Sequence, residues 1–106
     1  MTEELISWDV QDTVEITHAV GLHARPSVKF TKCAKQFQAR IEIASEAAGP
    51  WIDAKSIVKV MGAKMPQGTL LQLRAQGADA QEAVRSLVDL VNSDFEEAKD
   101  VSSNAV

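Results

Sequence analysis

Several features that would indicate a secreted, membrane-spanning or disulfide-stabilised protein are missing from this sequence. Its single cysteine, Cys33, cannot form a disulfide within the chain, and a lone thiol is typical of a reducing compartment. No apolar run approaches the roughly 20 residues that a membrane-spanning helix needs. The first residues lack the basic and apolar segments of a signal peptide. We therefore expect a soluble protein located in the cytoplasm.

Aromatic residues and net positive charge are also scarce. Two Trp, three Phe and no Tyr predict a mainly aliphatic core. A formal net charge of −4 argues against a general nucleic-acid or membrane-surface binder, because both depend on positive charge. The length of 106 residues is enough for one core. We predict an N-terminal extension (1–11), one domain (12–95) and a polar C-terminal tail (96–106).

The charges are distributed unevenly along the chain. Residues 16–41 and 54–78 contain no carboxylate side chain, yet they hold nine of the eleven Lys and Arg residues. Three of these, Arg25, Lys29 and Lys32, recur at helical spacing and predict a basic stripe. Ordinary surface charge would explain this pattern, and so would a basic face that binds acidic protein partners.

The spacing of apolar residues predicts the order of strands and helices. Alternation indicates strands over 12–18, 39–44, 69–76 and, less clearly, 51–54, with a hairpin loop over 45–50. Helical spacing indicates one helix after His23, a short one after Ser56 and a last one after Asp79. Because the strands alternate, we predict an α+β fold in which helices cover one face of an antiparallel sheet.

The starts of the second and third helices carry residue types that favour capping. Asp79 with Glu82 predicts a capping box, and Ser56 fits the N-cap position of the short helix. The cap alone would explain Ser56. The alternative hypothesis is regulatory. A phosphate on Ser56 would lie at a helix N-terminus near Lys55 or Lys59, and these groups could accommodate its negative charge.

The segment Gly21-Leu22-His23-Ala24-Arg25-Pro26 lies where the first strand gives way to the first helix. Pro26 fits only the first turn of a helix, which places His23 at or just before the N-cap. Gly21 allows a sharp turn before it. The unpaired amides and positive end of the helix can hold an anion, and Arg25 adds a cation. These features predict a transiently phosphorylated histidine.

The second histidine and the cysteine are interpreted as structural. His18 continues the buried face of the first strand, and no Cys, Asp or Glu lies between it and His23 to complete a metal site, so we predict no metal. Cys33 falls on the apolar stripe of the first helix, which we assign to Phe30, Cys33, Ala34 and Phe37. A small buried hydrophobic residue is the simpler reading of this thiol.

Taken together, these motifs resemble a known family. The segment 16–30, with Gly-Leu-His-Ala-Arg-Pro, resembles the active-site signature of HPr, the histidine-containing phosphocarrier of the phosphoenolpyruvate-dependent sugar phosphotransferase system. Asp53-Ala-Lys-Ser-Ile resembles the regulatory-serine segment of that family, and the similarity covers residues 12–95. The resemblance implies an open-faced β-sandwich, with a four-stranded antiparallel sheet and three helices packed on one face.

The resemblance also implies a function. His23 would accept a phosphoryl group at Nδ1 from phosphorylated enzyme I and pass it to IIA domains of sugar permeases. Arg25 and the backbone amides of Ala24 and Arg25 would contact the phosphate, and HPr kinase/phosphorylase would modify Ser56. The protein would be a monomeric phosphocarrier, not an enzyme, with no cofactor, metal, nucleic-acid ligand or membrane insertion. A regulatory carrier of the nitrogen-related branch and a non-transport module controlled by Ser56 are the alternatives.

A docking surface for these partners is expected on the first two helices. Basic side chains around an apolar patch would suit acidic, apolar partner surfaces. The predicted docking residues are Val28, Lys32, Lys35, Val58, Lys59 and Met61. The chain departs from the family pattern at Val20, where many relatives carry Ser or Asn, in a longer hairpin before Trp51 and in its N-terminal extension. These departures leave the branch of the pathway open.

Overall fold

A computed structural model of the chain describes residues 8–19 and 21–95. The elements follow the predicted order: β1 (Val10–Glu15), α1 (Ala24–Lys35), β2 (Arg40–Ala44), β3 (Ile52–Asp53), α2 (Ile57–Gly62), β4 (Leu70–Gln76) and α3 (Ala80–Asn92). The predicted tail and residues 1–7 of the predicted extension lie outside the described residues. No helix in the described part of the chain is both long and apolar enough to cross a membrane.

The four strands form one antiparallel sheet in the order β1-β4-β2-β3. On the central strand β4, Leu71, Leu73 and Ala75 are buried, while the residues between them are half-buried. Val14 of β1 lies opposite Leu71, and Ile43 of β2 lies opposite Leu73, so the buried positions of all three strands share one face. The prediction of an antiparallel sheet with one covered face is confirmed.

The helices pack on that buried face and close the core. Helix α3 lies against β1 and β4, while α1 contacts both α2 and α3. Among the described residues, the buried hydrophobic side chains are aliphatic except for Phe30 and Phe95. The scarcity of aromatic residues therefore predicted the character of the core correctly.

The first strand is displaced from its predicted position. We expected a strand over 12–18, but β1 begins at Val10 and ends at Glu15. After Glu15 the pairing continues only through two backbone hydrogen bonds: the Ile16 N–H donates to the Thr69 carbonyl (2.9 Å), and the Gly68 N–H donates to the Ile16 carbonyl (2.7 Å). Buried and exposed side chains continue to alternate beyond the last paired residue of β1, so the pattern placed the end of the strand too late.

The start of α3 corrects a second prediction. Asp79 is the N-cap residue, but its side chain makes no capping hydrogen bond, so the capping box with Glu82 is wrong. Its carboxylate accepts instead from the backbone N–H groups of Gln38 (2.9 Å) and Ala39 (2.8 Å). The hydrogen bond from Gln38, and to a smaller extent that from Ala39, lowers the pKa of Asp79 from its ordinary 3.8, although partial burial acts against this. Asp79 thus joins the start of α3 to the segment entering β2.

The sheet face away from the helices carries a cluster of aromatic and charged side chains. The Arg74 guanidinium lies between Trp8 and Trp51, at 4.4 and 3.9 Å from the ring centroids. It also donates to Glu42 Oε1 through Nε (3.0 Å) and Nη2 (2.7 Å), and Arg40 donates to Glu42 Oε2 (3.2 Å). Two basic residues of the carboxylate-free segments are therefore paired on this face and do not contribute to a basic helical surface.

Candidate functional site

His23 is the N-cap residue of α1. Its backbone is extended (φ −97°, ψ −155°), and its side chain is exposed and makes no capping hydrogen bond. Its carbonyl accepts the first helical hydrogen bond, from the Ser27 N–H at 2.9 Å. Pro26 is the third residue of the helix, where a missing N–H leaves no carbonyl unpaired. The helix thus begins where Pro26 predicted, and the imidazole is available to a partner.

The loop before His23 is held against the segment that follows α2. The Leu22 N–H donates to the Met65 carbonyl at 2.8 Å, and the Leu22 side chain is buried. Gly21 has a left-handed backbone (φ +69°), and a Cβ at this position would lie 2.5 Å from the Met65 carbonyl oxygen and 2.8 Å from the Pro66 Cα. Gly21 is therefore required both by its conformation and by the close approach of another backbone. Val20 lies outside the described residues.

The N-terminal turn of α1 has the properties of an anion site. Helix geometry leaves the amides of Ala24 and Arg25 without a carbonyl partner in the helix, and both point out from its N-terminal end. The first turn contains no acidic residue to offset the positive end of the helix dipole, and the Arg25 side chain is exposed. The exposed imidazole of His23 therefore adjoins a positive helix terminus and lies two residues before an exposed cation.

Two lysines of the carboxylate-free segments donate hydrogen bonds to backbone carbonyls of the fold. The Lys29 ammonium donates to the Phe95 carbonyl at 2.8 Å, and the Lys55 ammonium donates to the Phe37 carbonyl at 2.7 Å. Each lysine satisfies a carbonyl near the end of a helix, which is a common structural use of this side chain. Of the predicted basic stripe, Lys29 is therefore bound within the fold, while Arg25 and Lys32 are exposed.

The predicted docking residues lie on two helices that contact each other. Val28 on α1 is 45% exposed and Val58 on α2 is 76% exposed, which is unusual for large apolar side chains. Lys32, Lys35 and Lys59 are exposed and Met61 is half-buried. The two lysines on α1 occupy its last turn, where a positive charge also stabilises the helix dipole. Docking is thus one of two roles that these lysines can have.

Ser56 is the N-cap residue of α2, as the sequence predicted. Its Oγ accepts from the Lys59 N–H at 3.2 Å, and its own N–H donates to the Asp53 carbonyl at 3.1 Å. The side chain is half-buried. Because Lys55 is bound to the Phe37 carbonyl, Lys59 is the better placed of the two lysines to face a charge on Ser56. Phosphorylation of Ser56 stays a prediction.

The buried face of α1 starts one turn earlier than predicted. Its buried residues are Pro26, Ser27, Phe30, Thr31 and Ala34, while Cys33 and Phe37 are only half-buried at its margin. Sequence reasoning missed Ser27, whose hydroxyl donates to the Leu22 carbonyl at 3.2 Å. Extending the spacing back from Phe30 by three residues would have found it. Ser27 thereby ties the helix to the loop that carries His23.

His18 packs against the end of the chain that the structure describes. Its ring meets that of Phe95 edge to face, with 5.6 Å between the centroids. Across residues 8–19 and 21–95, no three His, Cys, Asp or Glu side chains are grouped so that they could hold a metal ion.

The chain is similar to known proteins along nearly all of its described length. The profile of the family described as "PTS HPr component phosphorylation site" matches residues 10–93. Phosphocarrier protein HPr of Neisseria meningitidis is 37% identical over 90 residues, covering 85% of this chain and 99% of that protein. Phosphocarrier protein NPr of Escherichia coli is 31% identical, covering 83% and 97%. The crystal structure of HPr-C-His from Thermoanaerobacter tengcongensis superposes with a TM-score of 0.76 at 38% identity, covering 82% and 96%.

Proposed function

Since the chain belongs to the HPr family of phosphocarrier proteins of the phosphotransferase system, we propose that His23 is the residue that carries the phosphoryl group. One observation supports this choice above others. His23 is exposed at the N-cap of α1, and its side chain makes no capping hydrogen bond that phosphorylation would have to break. His18, the other histidine, is packed against Phe95.

Phosphoryl transfer needs from the carrier only a nucleophilic nitrogen and groups that stabilise the phosphate. Nδ1 of His23 attacks phosphorus with its lone pair, and the bond to the donor atom on phosphorylated enzyme I breaks as the new N–P bond forms. The proton on Nε2 stays with the ring. Amides of Ala24 and Arg25, the helix dipole and the Arg25 guanidinium stabilise the transferred oxygens. These groups bind the anion without a covalent bond, so the phosphoryl group can leave again to a IIA domain.

Recognition by enzyme I and IIA domains would use the exposed apolar and basic side chains of α1 and α2. Val28 and Val58 supply apolar surface that is otherwise left in water, and Lys59 supplies charge beside it. Acidic, apolar partner surfaces fit such a patch, and electrostatic attraction would mainly raise the association rate. The protein would thus act as a phosphorylated intermediate between enzymes.

The test is uptake of phosphate from phosphoenolpyruvate in the presence of a bacterial enzyme I. Intact mass spectrometry should show one added phosphoryl group on the protein and none on His23→Ala. The added mass should be lost in acid, as expected for phosphohistidine. Phosphate on His23→Ala would contradict the assignment, as would no uptake by the wild-type protein when the same enzyme I phosphorylates another HPr.

Ser56 would regulate this transfer. A phosphate there would place about −1.5 to −2 charges beside Lys59, in the surface proposed for docking. The Ser56→Asp variant mimics the charge, and Ser56→Asn keeps a capping side chain without it. We expect Ser56→Asp to accept phosphate from enzyme I more slowly at low salt and Ser56→Asn to match the wild type. Equal rates for all three would exclude an electrostatic role for this position.

A carrier of the nitrogen-related branch is the second candidate, because the chain is also similar to NPr over 83% of its length. The fold and His23 are compatible with either branch. Transfer from the phosphorylated protein to a sugar-permease IIA domain and to a nitrogen-related IIA domain, measured side by side, separates the two. Faster transfer to the sugar-permease domain is expected, and the reverse would favour the nitrogen-related branch.

A further inference from the structure

The loop that presents His23 is fixed on two sides. On the first side it binds the segment after α2: the Leu22 N–H donates to the Met65 carbonyl, and the Gln67 side-chain amide donates through Nε2 to the Thr17 carbonyl at 3.1 Å. Within the loop, the Gly21 N–H donates to the His18 carbonyl at 2.9 Å. These bonds connect the loop to the segment that follows α2, the helix that carries Ser56 and part of the proposed docking surface.

On its second side the loop contacts the two residues at the end of the described chain. The Thr17 hydroxyl donates to Asp94 Oδ1 at 2.8 Å, and the His18 ring meets the Phe95 ring edge to face. The Phe95 carbonyl accepts from the Lys29 ammonium of α1 at 2.8 Å. Asp94 and Phe95, here called the α3 clamp, therefore contact both the loop before His23 and the helix after it.

The α3 clamp has a conformation that its surroundings must impose. Asp94 (φ +58°) and Phe95 (φ +63°) are both left-handed, although neither is glycine. Phe95 is buried, and its N–H donates to the Leu90 carbonyl at 2.8 Å. A bulky residue holds such a backbone only where several contacts determine it together. The side chains of both residues contact the loop before His23, and the Phe95 carbonyl contacts α1, while the Phe95 N–H binds back to α3.

We propose that the α3 clamp positions the His23 loop, so that phosphoryl transfer depends on contacts made by Asp94 and Phe95 as well as on the site itself. This rests on the proposed role of His23. Asp94 and Phe95 are positioning residues, because they act on the imidazole through Thr17 and His18. In-line transfer depends steeply on geometry, and a displacement of about 1 Å can reduce the rate by orders of magnitude. A loop held on only one side would spend less time in the productive position.

The hydroxyl of Thr17 offers the mildest way to test the clamp. Thr17→Val removes the bond to Asp94 with little change of shape, and Thr17→Ser restores a hydroxyl. Thr13→Val is the matched control, because Thr13 is also exposed and its hydroxyl donates to Gln72 Oε1 at 3.2 Å, on β1 and away from the loop. Rapid-quench measurement of transfer from phosphorylated enzyme I gives both the saturating rate and the half-saturating concentration.

We expect Thr17→Val to lower the saturating rate by about two- to tenfold, the range that one net hydrogen bond can produce. The half-saturating concentration should stay near that of the wild type, since the docking residues are untouched. Thr17→Ser should recover most of the rate, and Thr13→Val should show no loss. Equal rates for Thr17→Val and Thr13→Val, or a defect seen only in the half-saturating concentration, would overturn the proposal.

Amide hydrogen exchange measured by NMR tests the clamp without enzyme I. Thr17→Val should accelerate exchange of the Gly21 and Leu22 amides relative to both the wild type and Thr13→Val, while the amides of β4 stay unchanged. Unaltered exchange at Gly21 and Leu22 would overturn the proposal even if transfer occurs. Faster exchange in a protein that takes up no phosphate would instead retain the clamp and refute the role of His23.

Discussion

Replacing Gly21 by alanine tests whether the loop before His23 is pressed against the segment after α2 as tightly as the structure shows. Two separate penalties are expected. Gly21 has φ +69°, where a Cβ is unfavourable, and that Cβ would lie 2.5 Å from the Met65 carbonyl oxygen. Gly68 provides a control with φ +96° but no atom within 4 Å of its added Cβ. The pair separates conformational strain from collision.

The expected magnitudes follow from these two terms. Forcing a non-glycine residue into a left-handed backbone costs about 1–2 kcal/mol, partly offset by the lower entropy of unfolded alanine, roughly 0.4–1 kcal/mol. Gly68→Ala should therefore lose about 1 kcal/mol. At Gly21 the collision is with backbone about 1 Å inside an ordinary contact distance of ~3.5 Å. Overpacking of this kind adds about 1–3 kcal/mol, so Gly21→Ala should lose about 3 kcal/mol.

Urea unfolding followed by tryptophan fluorescence measures both losses. With a slope of about 1–2 kcal/mol/M for a domain of this size, the midpoint should fall by about 1.5–3 M for Gly21→Ala and by about 0.5–1 M for Gly68→Ala. Gly21→Ala should also be phosphorylated more slowly under conditions in which it is folded, because relief of the collision moves the backbone next to His23. Gly68→Ala should be phosphorylated normally.

The comparison has a clear refuting result. If Gly21→Ala is no less stable than Gly68→Ala, the loop does not lie against Met65 and Pro66 as described. If it is much less stable but is phosphorylated at the wild-type rate, the contact is structural only, and the position of His23 tolerates a displaced loop.

Three further predictions concern the stability of the fold. Asp79→Asn should destabilise the protein at neutral pH. Since the folded-state pKa of Asp79 lies below 3.8, the wild-type protein should be the more stable of the two above that pH, and the difference in free energy of unfolding should shrink as the pH falls below it. A difference that stays constant when unfolding is measured across the acid range would contradict this. Lys29→Met keeps the apolar stem but removes the bond to the Phe95 carbonyl, so chemical denaturation should show a loss of about 0.5–1.5 kcal/mol in the free energy of unfolding. Lys32→Met removes only an exposed charge from the last turn of α1 and should lose less, about 0.3 kcal/mol. Gly62 lies in α2 with open space around the position of a Cβ, so Gly62→Ala should raise the free energy of unfolding by about 0.5 kcal/mol because alanine favours a helix over glycine. A lower unfolding midpoint for this variant would contradict the helical conformation of Gly62.

The features predicted correctly from sequence depend on neighbours a few residues apart. Pro26 placed the start of α1, and Ser56 placed the start of α2, because a helix begins through bonds within one turn. Alternation placed β2 and β4 to within a residue, because the side-chain period of a strand is local. The short strand β3 was predicted over 51–54 and extends only over Ile52–Asp53, since a pair of that length depends on β2.

Spacing could not predict which side chains have partners far away in the chain. Asp79 had the spacing of a capping box, but its carboxylate binds backbone amides 41 and 40 residues earlier. Lys29 belonged to a basic stripe by spacing, yet its ammonium binds a carbonyl 66 residues later. Periodicity reports which face of a helix a residue occupies but not what the rest of the fold places opposite it.

The sequence by itself therefore determined the order of the elements, the covered face of the sheet and the exposed histidine at the start of α1, because each depends on local periodicity or on the special geometry of proline. Only the tertiary structure decided which charges are free to meet a partner. Arg74, Lys29 and Lys55 are occupied by groups from other elements, while Lys59 is exposed beside Val58. The same long-range packing brings Asp94 and Phe95 to the loop before His23, since these residues follow α3 and their position depends on how α3 packs on the sheet.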